Sequence, residues 1–316
     1  MPDSTDQKIM YELGVNCRTS YRKIARKLGL STTAVIKRVN AMVDYGSIYE
    51  LVVLPSDAMM DAKYLTALIH TDGTENTDDF IDAVGANPEV IQVSTLASTR
   101  GSSYFVTGQY TDGERYQQIE KSLRGLGFVR DVELHTNTRM RVYPGKKMTL
   151  SDQHIAVLRV LKENPRAQVR EIAEETGLPL KIARKTLREL EESDAFRFTA
   201  RSSRSREEST SVVVRMEYDI ERAKQQEVWD WLLAECDANV FDVFFSLDEP
   251  VSFVWFTGGS VHQTDGVYRR IAEAPFAKSA NPLFILKHTK YLWLGEYWLD
   301  DLLREYPSES AAESRL

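Results

Sequence analysis

The segments "IARKLGLSTTAVIKRV" (24–39) and "IAEETGLPLKIARKTL" (172–187) write one pattern twice, 148 residues apart, and any fold for this chain has to accommodate both copies. Ala25, Gly29 and Val35 in the first stand where Ala173, Gly177 and Ala183 stand in the second. A small residue lets two helices cross closely. A glycine accepts the left-handed conformation where the first helix stops, and an apolar residue anchors the second. The pattern predicts a helix-turn-helix in each copy.

The flanks extend this reading. Ile9, Met10 and Leu13 form one apolar stripe, Tyr21, Ile24, Ala25 and Leu28 a second, and Val35, Val39 and Met42 a third, as three short amphipathic helices require. Ser31 stands where its oxygen can cap the third helix, and "DYGSIYELVVL" follows as a turn and a β-rich run. The expected unit is three helices with a wing. In the second copy Ile155, Leu158 and Leu161, then Val169, Ile172 and Ala173, then Ile182, Thr186, Leu187 and Leu190 repeat the order before "SDAFRFTA".

Behind each helical unit the rhythm changes. "YLTALIH", "NTDDFIDAVG", "VIQVSTLA", "SYFVTGQY", "GERYQQIEKSLRGLG" and "RDVELHT" read as β-α-β-β-α-β. "TSVVVRMEY", "RAKQQEVWDWLLAE", "FDVFFS", "VSFVWFTG", "TDGVYRRIAEA" and "LFILKHT" repeat that order, with "FVTG" and "WFTG" 150 residues apart. The fold class is therefore α+β, with two winged helix-turn-helix domains alternating with two ferredoxin-like domains in an internal tandem duplication. Expected boundaries are 1–55 and 147–205 for the winged helices, 56–146 and 206–295 for the ferredoxin-like domains, and 296–316 for a C-terminal helix and tail. That helix, with Trp293, Tyr297 and Trp298, is expected to lie against the second sheet or a neighbouring chain. "RSSRSREESTS" (201–211) is either an extended wing or a linker.

Charge separates the two copies. The whole chain carries −7, yet between Asn16 and Glu50 seven basic residues face two acidic ones, leaving +5. A duplex-binding surface needs such a cationic cluster to displace counterions from phosphate. From Leu150 to Ala200 nine basic residues meet nine acidic ones, so the second copy has no net attraction. It also has Pro179 where the first has the capping Ser31.

Other chemistries lack their residues. Cys17 and Cys236 show no paired spacing, and the five histidines are scattered. No phosphate loop, nucleophile elbow, metal or cofactor motif is present, and no catalytic residue is assigned. No run of about 18 apolar residues and no apolar leader core occurs, so a membrane partner is not expected and the cytoplasm is the expected location.

The segment "DQKIMYELGVNCRTSYRKIARKLGLSTTAVIKRVNAMVDYGSI" resembles the N-terminal domain of the Lrp/AsnC (feast/famine) transcription regulators. The likeness rests on Asp6, Ile9, Leu13, Asn16, Arg18, Ser20, Tyr21, Ile24, Ala25, Gly29, Leu30, Ser31, Val35, Arg38, Gly46 and Ile48. It is dense over residues 6–50, fair over 64–140 and 150–200, and thin beyond 210. The resemblance implies a double-stranded DNA partner and self-association through the ferredoxin-like domains, here as an internal pseudo-dimer of an archaeal tandem type. Two recognition helices would then face major grooves about 34 Å apart.

On this reading the third helix enters the groove with Thr32, Thr33, Lys37 and Asn40 outward, while Arg38 touches phosphate or braces the fold. Arg18, Arg22 and Lys23 stand near the DNA backbone, and the family motif adds Tyr21 and Ser31. In the second copy Lys181, Arg184 and Lys185 can touch phosphate, and its contribution is expected to be weaker or architectural.

A small-molecule effector stays open. Amino-acid sensors of the family carry a Gly-Asp pair before the third sheet strand, whereas here Gly101 has no acid after it. Sirohaem decarboxylases, built from the same two modules, carry Arg-x-His-x-Tyr in that region, where Arg100, Ser102 and Tyr104 keep two of the three positions. Arg100, Gly101, Ser102 and Tyr104 are thus the candidate effector residues, and a tetrapyrrole enzyme or a non-catalytic relative is the rival reading.

Overall fold

The computed structural model describes residues 3–98, 101–139, 145–202, 210–236, 240–290 and 293–306. Among them the chain runs α1 (Ser4–Val15), α2 (Tyr21–Leu28), α3 (Thr32–Asp44), β1 (Ile48–Pro55) and the single turn α4 (Asp57–Met60). Next come β2 (Lys63–Thr71), α5 (Thr77–Gly85), β3 (Val90–Leu96), β4 (Ser103–Tyr110), α6 (Gly113–Arg124) and β5 (Val129–Arg139). The second half repeats the order with α7 (Asp152–Glu163), α8 (Val169–Thr176), α9 (Leu180–Glu192), β6 (Phe196–Ser202), β7 (Thr210–Tyr218) and α10 (Gln225–Cys236). β8 (Val240–Ser246), β9 (Val251–Gly258), α11 (Val261–Ala272), β10 (Ala277–Lys290) and α12 (Leu294–Glu305) follow. No helix among the described residues is long and apolar enough to cross a membrane.

Two compact units gather these elements. The first comprises Met1–Met60, Tyr143–Arg206 and Gly295–Leu316, so both winged helices share it. Gly29 and Gly177 both take φ +68° at the ends of α2 and α8, the left-handed turn that the repeat predicts. Ile9, Leu13, Ile24, Val35, Val39 and Met42 bury the inward faces of α1 to α3. Ile155, Leu158, Leu161, Ile172, Leu187 and Leu190 do the same for α7 to α9.

The wing is not a hairpin within either copy. β1 pairs antiparallel with β6, from Ile48 opposite Ser202 to Pro55 opposite Phe196. A lone strand leaves a row of unpaired backbone groups, and each copy supplies the partner the other lacks. Val53, Phe196 and Phe198 are buried beneath this ribbon.

The C-terminal helix forms as expected but packs elsewhere than expected. Leu299 and Leu303 of α12 enter the core of the second winged helix. Arg159 donates to the carbonyl oxygens of Leu303, at 2.9 Å, and Tyr306. Lys162 pairs with Asp300, and Arg201 with Glu296. Docking on the second sheet is therefore corrected. Ile155 of α7 belongs to the same buried cluster as Leu299 and Leu303, whereas the equivalent position of α1 is Gln7, which is exposed.

The second unit, Asp61–Val142 and Glu207–Leu294, joins the two β-α-β-β-α-β halves. Each half keeps the ferredoxin-like order, β3-β4-β2-β5 and β8-β9-β7-β10, and the halves close one eight-stranded barrel through β5–β8 and β10–β3 pairing. Closure removes the edges that four-stranded sheets would expose. Strand alternation sorts the side chains: Leu65, Ala67 and Ile69 of β2 meet α5 and α6, while Tyr64 and Leu68 turn inward. The inside is filled by Phe105, Val213, Phe244, Phe253 and Trp255. β10 is twice as long as its apolar run predicts. Its first part pairs with β7 and its second with β3, and Lys278, Ser279, Asn281 and Pro282 hide the first part from a hydrophobicity reading. Of 201–211, residues 203–209 lie outside the described residues.

Candidate nucleic-acid interface

The first helix-turn-helix is held by caps at both helix starts. Ser20 Oγ accepts from the Lys23 N–H at 3.3 Å, and Ser31 Oγ from the Ala34 N–H at 3.1 Å, satisfying amides that a helix start leaves free. With Val35, Val39 and Met42 buried, Thr32, Thr33, Lys37 and Asn40 lie exposed on α3, as their spacing predicts. Ser31 is also exposed, but its oxygen is committed to the cap. Ile36, 39 % exposed, shares the outward face, and sequence reading missed it. The available signal is an apolar residue lying off the Val35–Val39–Met42 stripe.

Six cations of this copy divide into free and committed sets. Arg22, Lys23, Arg26 and Lys37 are exposed and form no ion pair among the described residues. Arg38 Nη1 lies 2.7 Å from Asp3 Oδ2 and 2.8 Å from Asp6 Oδ1. Of the two roles considered for Arg38, bracing α3 against the start of α1 is the one its contacts serve. The Asp6 amide and the Arg38 guanidinium hold the Asp3 carboxyl below its ordinary value. Lys27 is 2.5 Å from Glu12.

Arg18 and Tyr21, expected near DNA, are engaged by the second copy. Arg18, with a side chain only 10 % exposed, pairs with Glu191 and donates to the carbonyl oxygens of Pro165 and Ala167. Tyr21 is covered by the Arg166 guanidinium, 4.2 Å from its ring centroid. Both residues contact the second copy, Arg18 through Pro165, Ala167 and Glu191 and Tyr21 through Arg166. Cys17 sits between the two arginines, and burial pushes its thiol up to about 11 against the pull of Arg166 and Arg18.

The second copy presents different chemistry on the same frame. Pro179 gives α9 no side-chain cap, and Leu180, 47 % exposed, stands where the first copy has Thr32. Lys181 and Arg184 are exposed without an ion pair among the described residues. Lys185 is 3.5 Å from Glu189 and Arg188 3.2 Å from Glu192. On α8, Arg170 pairs with Glu174 at 3.0 Å. One turn along a helix, such pairs offset the field that would attract phosphate.

Of the candidate effector residues, Tyr104 is buried, Ser102 is half-buried and Gly101 is exposed. Tyr104 is buried on the helix side of β4, its ring 3.9 Å from that of Phe80, and its hydroxyl donates to Glu75 Oε1 at 2.9 Å. Gly101 has φ +63°, and a Cβ there would lie 2.3 Å from the Thr71 carbonyl oxygen. The Ser102 N–H donates to Thr71 Oγ1 at 3.3 Å, and its carbonyl accepts from the Thr71 N–H at 3.0 Å. Arg100 lies outside the described residues. Glu75, which sequence reading passed over, also accepts from Thr71 Oγ1 at 2.7 Å. Burial pushes its carboxyl up, but hydrogen bonds from Thr71, Tyr104 and Ser102 leave it below the usual value.

Comparison with known proteins bears on both modules. Residues 3–43 match the AsnC-type helix-turn-helix domain, and residues 150–195 match a winged helix-turn-helix DNA-binding domain. Over 120 residues the chain is 30 % identical to the proline dehydrogenase transcriptional activator of Rhodobacter capsulatus, which covers 37 % of this chain and 77 % of that protein. Crystal structures of the siroheme decarboxylase NirDL, alone and in co-complex with an iron-uroporphyrin III analogue, each align with a TM-score of 0.60. Identities are 13 % and 14 %, and coverage is 96 % of this chain and 99 % and 100 % of theirs. At that identity the likeness is one of fold, and it extends over both tandem halves. With two helix-turn-helix matches and a relative covered over most of its length, the chain belongs to the Lrp/AsnC family of DNA-binding transcription regulators.

Proposed function

We propose that the chain regulates transcription in the cytoplasm by binding a specific double-stranded sequence, with the first helix-turn-helix as main reader. One observation carries this reading. Capped α3 offers Thr32, Thr33, Lys37 and Asn40 outward beside the unpaired cations Arg22, Lys23 and Arg26, whereas half of the exposed cations on α9 are neutralised by Glu189 and Glu192. Hydroxyl and amide groups read base edges, and free cations anchor phosphate. The ferredoxin-like halves pair as an internal pseudo-dimer or mediate oligomerisation, and a small-molecule effector would act through them.

A tetrapyrrole decarboxylase is the second reading, favoured by the fold likeness to NirDL. Against it stand Ser102 in the place of a proton-carrying histidine, Tyr104 turned into the helix-side core and aromatic side chains filling the barrel. Titration of the full chain onto duplex across a salt series tests the proposal. Affinity should fall steeply with salt, and Lys37→Ala should make the log–log slope shallower by about 1. Absence of duplex affinity at low salt, together with a bound tetrapyrrole absorption band, would overturn it in favour of the second reading.

A further inference from the structure

The two recognition helices sit in one compact unit as equivalent elements. The β1–β6 ladder joins their copies, and Arg18 and Arg166 each donate to carbonyl oxygens of the other copy. A frame of this symmetry in two identical chains reads an inverted repeat, because each arm of the operator meets the same side chains. Here the side chains differ at most of the equivalent outward positions, Lys37 and Lys185 being the shared pair. Thr33 corresponds to Lys181, Ile36 to Arg184 and Asn40 to Arg188, each pair 148 residues apart.

These differences change what each arm can recognise. The Asn40 amide can bond adenine at N6 and N7, and the methyl groups of Ile36 and Thr33 can meet a thymine methyl. Lys181 and Arg184 are donors only, suited to guanine O6 and N7 or to phosphate. Arg188, which replaces the amide of Asn40, is drawn along its own helix to Glu192. Nothing in α9 reproduces the A·T-reading set of α3.

We infer that the operator is a duplex with two unlike arms: an A·T-containing arm read through Thr33, Ile36 and Asn40, and a different arm met by Lys181 and Arg184. Fusion of two copies into one chain has freed the second helix from reading the same bases as the first. The inference rests on the proposed DNA-binding function, and its test separates the two.

The full chain is used to select bound sequences from a pool of random duplexes, in parallel with Asn40→Ala and Arg184→Ala variants. Both side chains are exposed and their removal leaves the cores intact. The wild type should enrich an element whose two arms differ. Asn40→Ala should lose base preference in the A·T arm alone, and Arg184→Ala should change the other arm alone, each weakening binding to the selected duplex about tenfold. An inverted repeat within the element, or a variant that alters both arms equally, overturns the inference while DNA binding stands. Failure to retain any duplex at low salt overturns both.

Discussion

Arg18 and Arg166 hold equivalent places in the two copies and each donates to the backbone of the other, Arg18 Nη2 to the Ala167 carbonyl at 3.0 Å and Arg166 Nη1 to the Thr19 carbonyl at 3.3 Å. The exchange places two cations from the basic half of the motif at a contact between copies. Replacing Arg18 by Ala leaves the Pro165 and Ala167 carbonyl oxygens without this donor and Glu191 without its cation. A loss of about 1–3 kcal/mol in unfolding free energy is expected by urea titration. The salt slope of DNA binding should match that of the wild type. A shallower slope at unchanged stability would return Arg18 to the phosphate contacts.

Lys37 and Arg38 are neighbours in sequence with opposite expected behaviour. Lys37→Ala should leave the Tm unchanged and lower the salt slope. Arg38→Ala frees Asp3 and Asp6, so the Tm should fall first, with DNA affinity following the loss of the α1–α3 brace. The Asp3 carboxyl is held below its ordinary value. Its contribution to stability is therefore present above its unfolded pKa and lost as pH falls through the folded one. In Arg38→Ala the Tm should decline less between neutral and acid pH than in the wild type, which differential scanning calorimetry at both pH values would read.

Glu133 in the barrel accepts from His135 Nε2 at 2.9 Å and from Arg215 Nε at 2.7 Å. Burial pushes its carboxyl up, and these two partners more than reverse the effect, leaving it below the usual range. A depressed folded pKa means stability that is full above the unfolded value of about 4.5 and is lost as pH drops further. Glu133→Gln should flatten that acid limb, measured as the Tm between pH 6 and pH 3. An unchanged limb would assign the acid sensitivity to other carboxylates.

Cys17 is fully buried with its thiol raised to about 11, and burial raises Cys236 as well. Because the thiolate is the reactive form, both cysteines should resist a thiol reagent at pH 8 in the native protein. Reaction should be complete within minutes in denaturant. Fast labelling of one thiol in the native state would show that its unit opens readily.

Much of the fold was legible in the sequence because burial writes local periods. The left-handed turns at Gly29 and Gly177 could be read from spacing alone, as could the inward stripe Val35–Val39–Met42 and the alternating strands of both ferredoxin-like halves. So could the outward set Thr32, Thr33, Lys37 and Asn40, since whatever the core does not claim faces solvent. The fate of a cation is different. Arg18, Lys37 and Arg38 carry similar charge in the same motif, and what separates them is a carbonyl pair near residue 166, open solvent, and two carboxylates at the start of α1. Tertiary structure alone decided those partners, along with the pairing of β1 with β6, the burial of Tyr104 against Phe80 and the docking of α12 on α7. Contacts between residues 24 to 154 positions apart leave no period in the chain, so only the folded geometry brings their chemistry together.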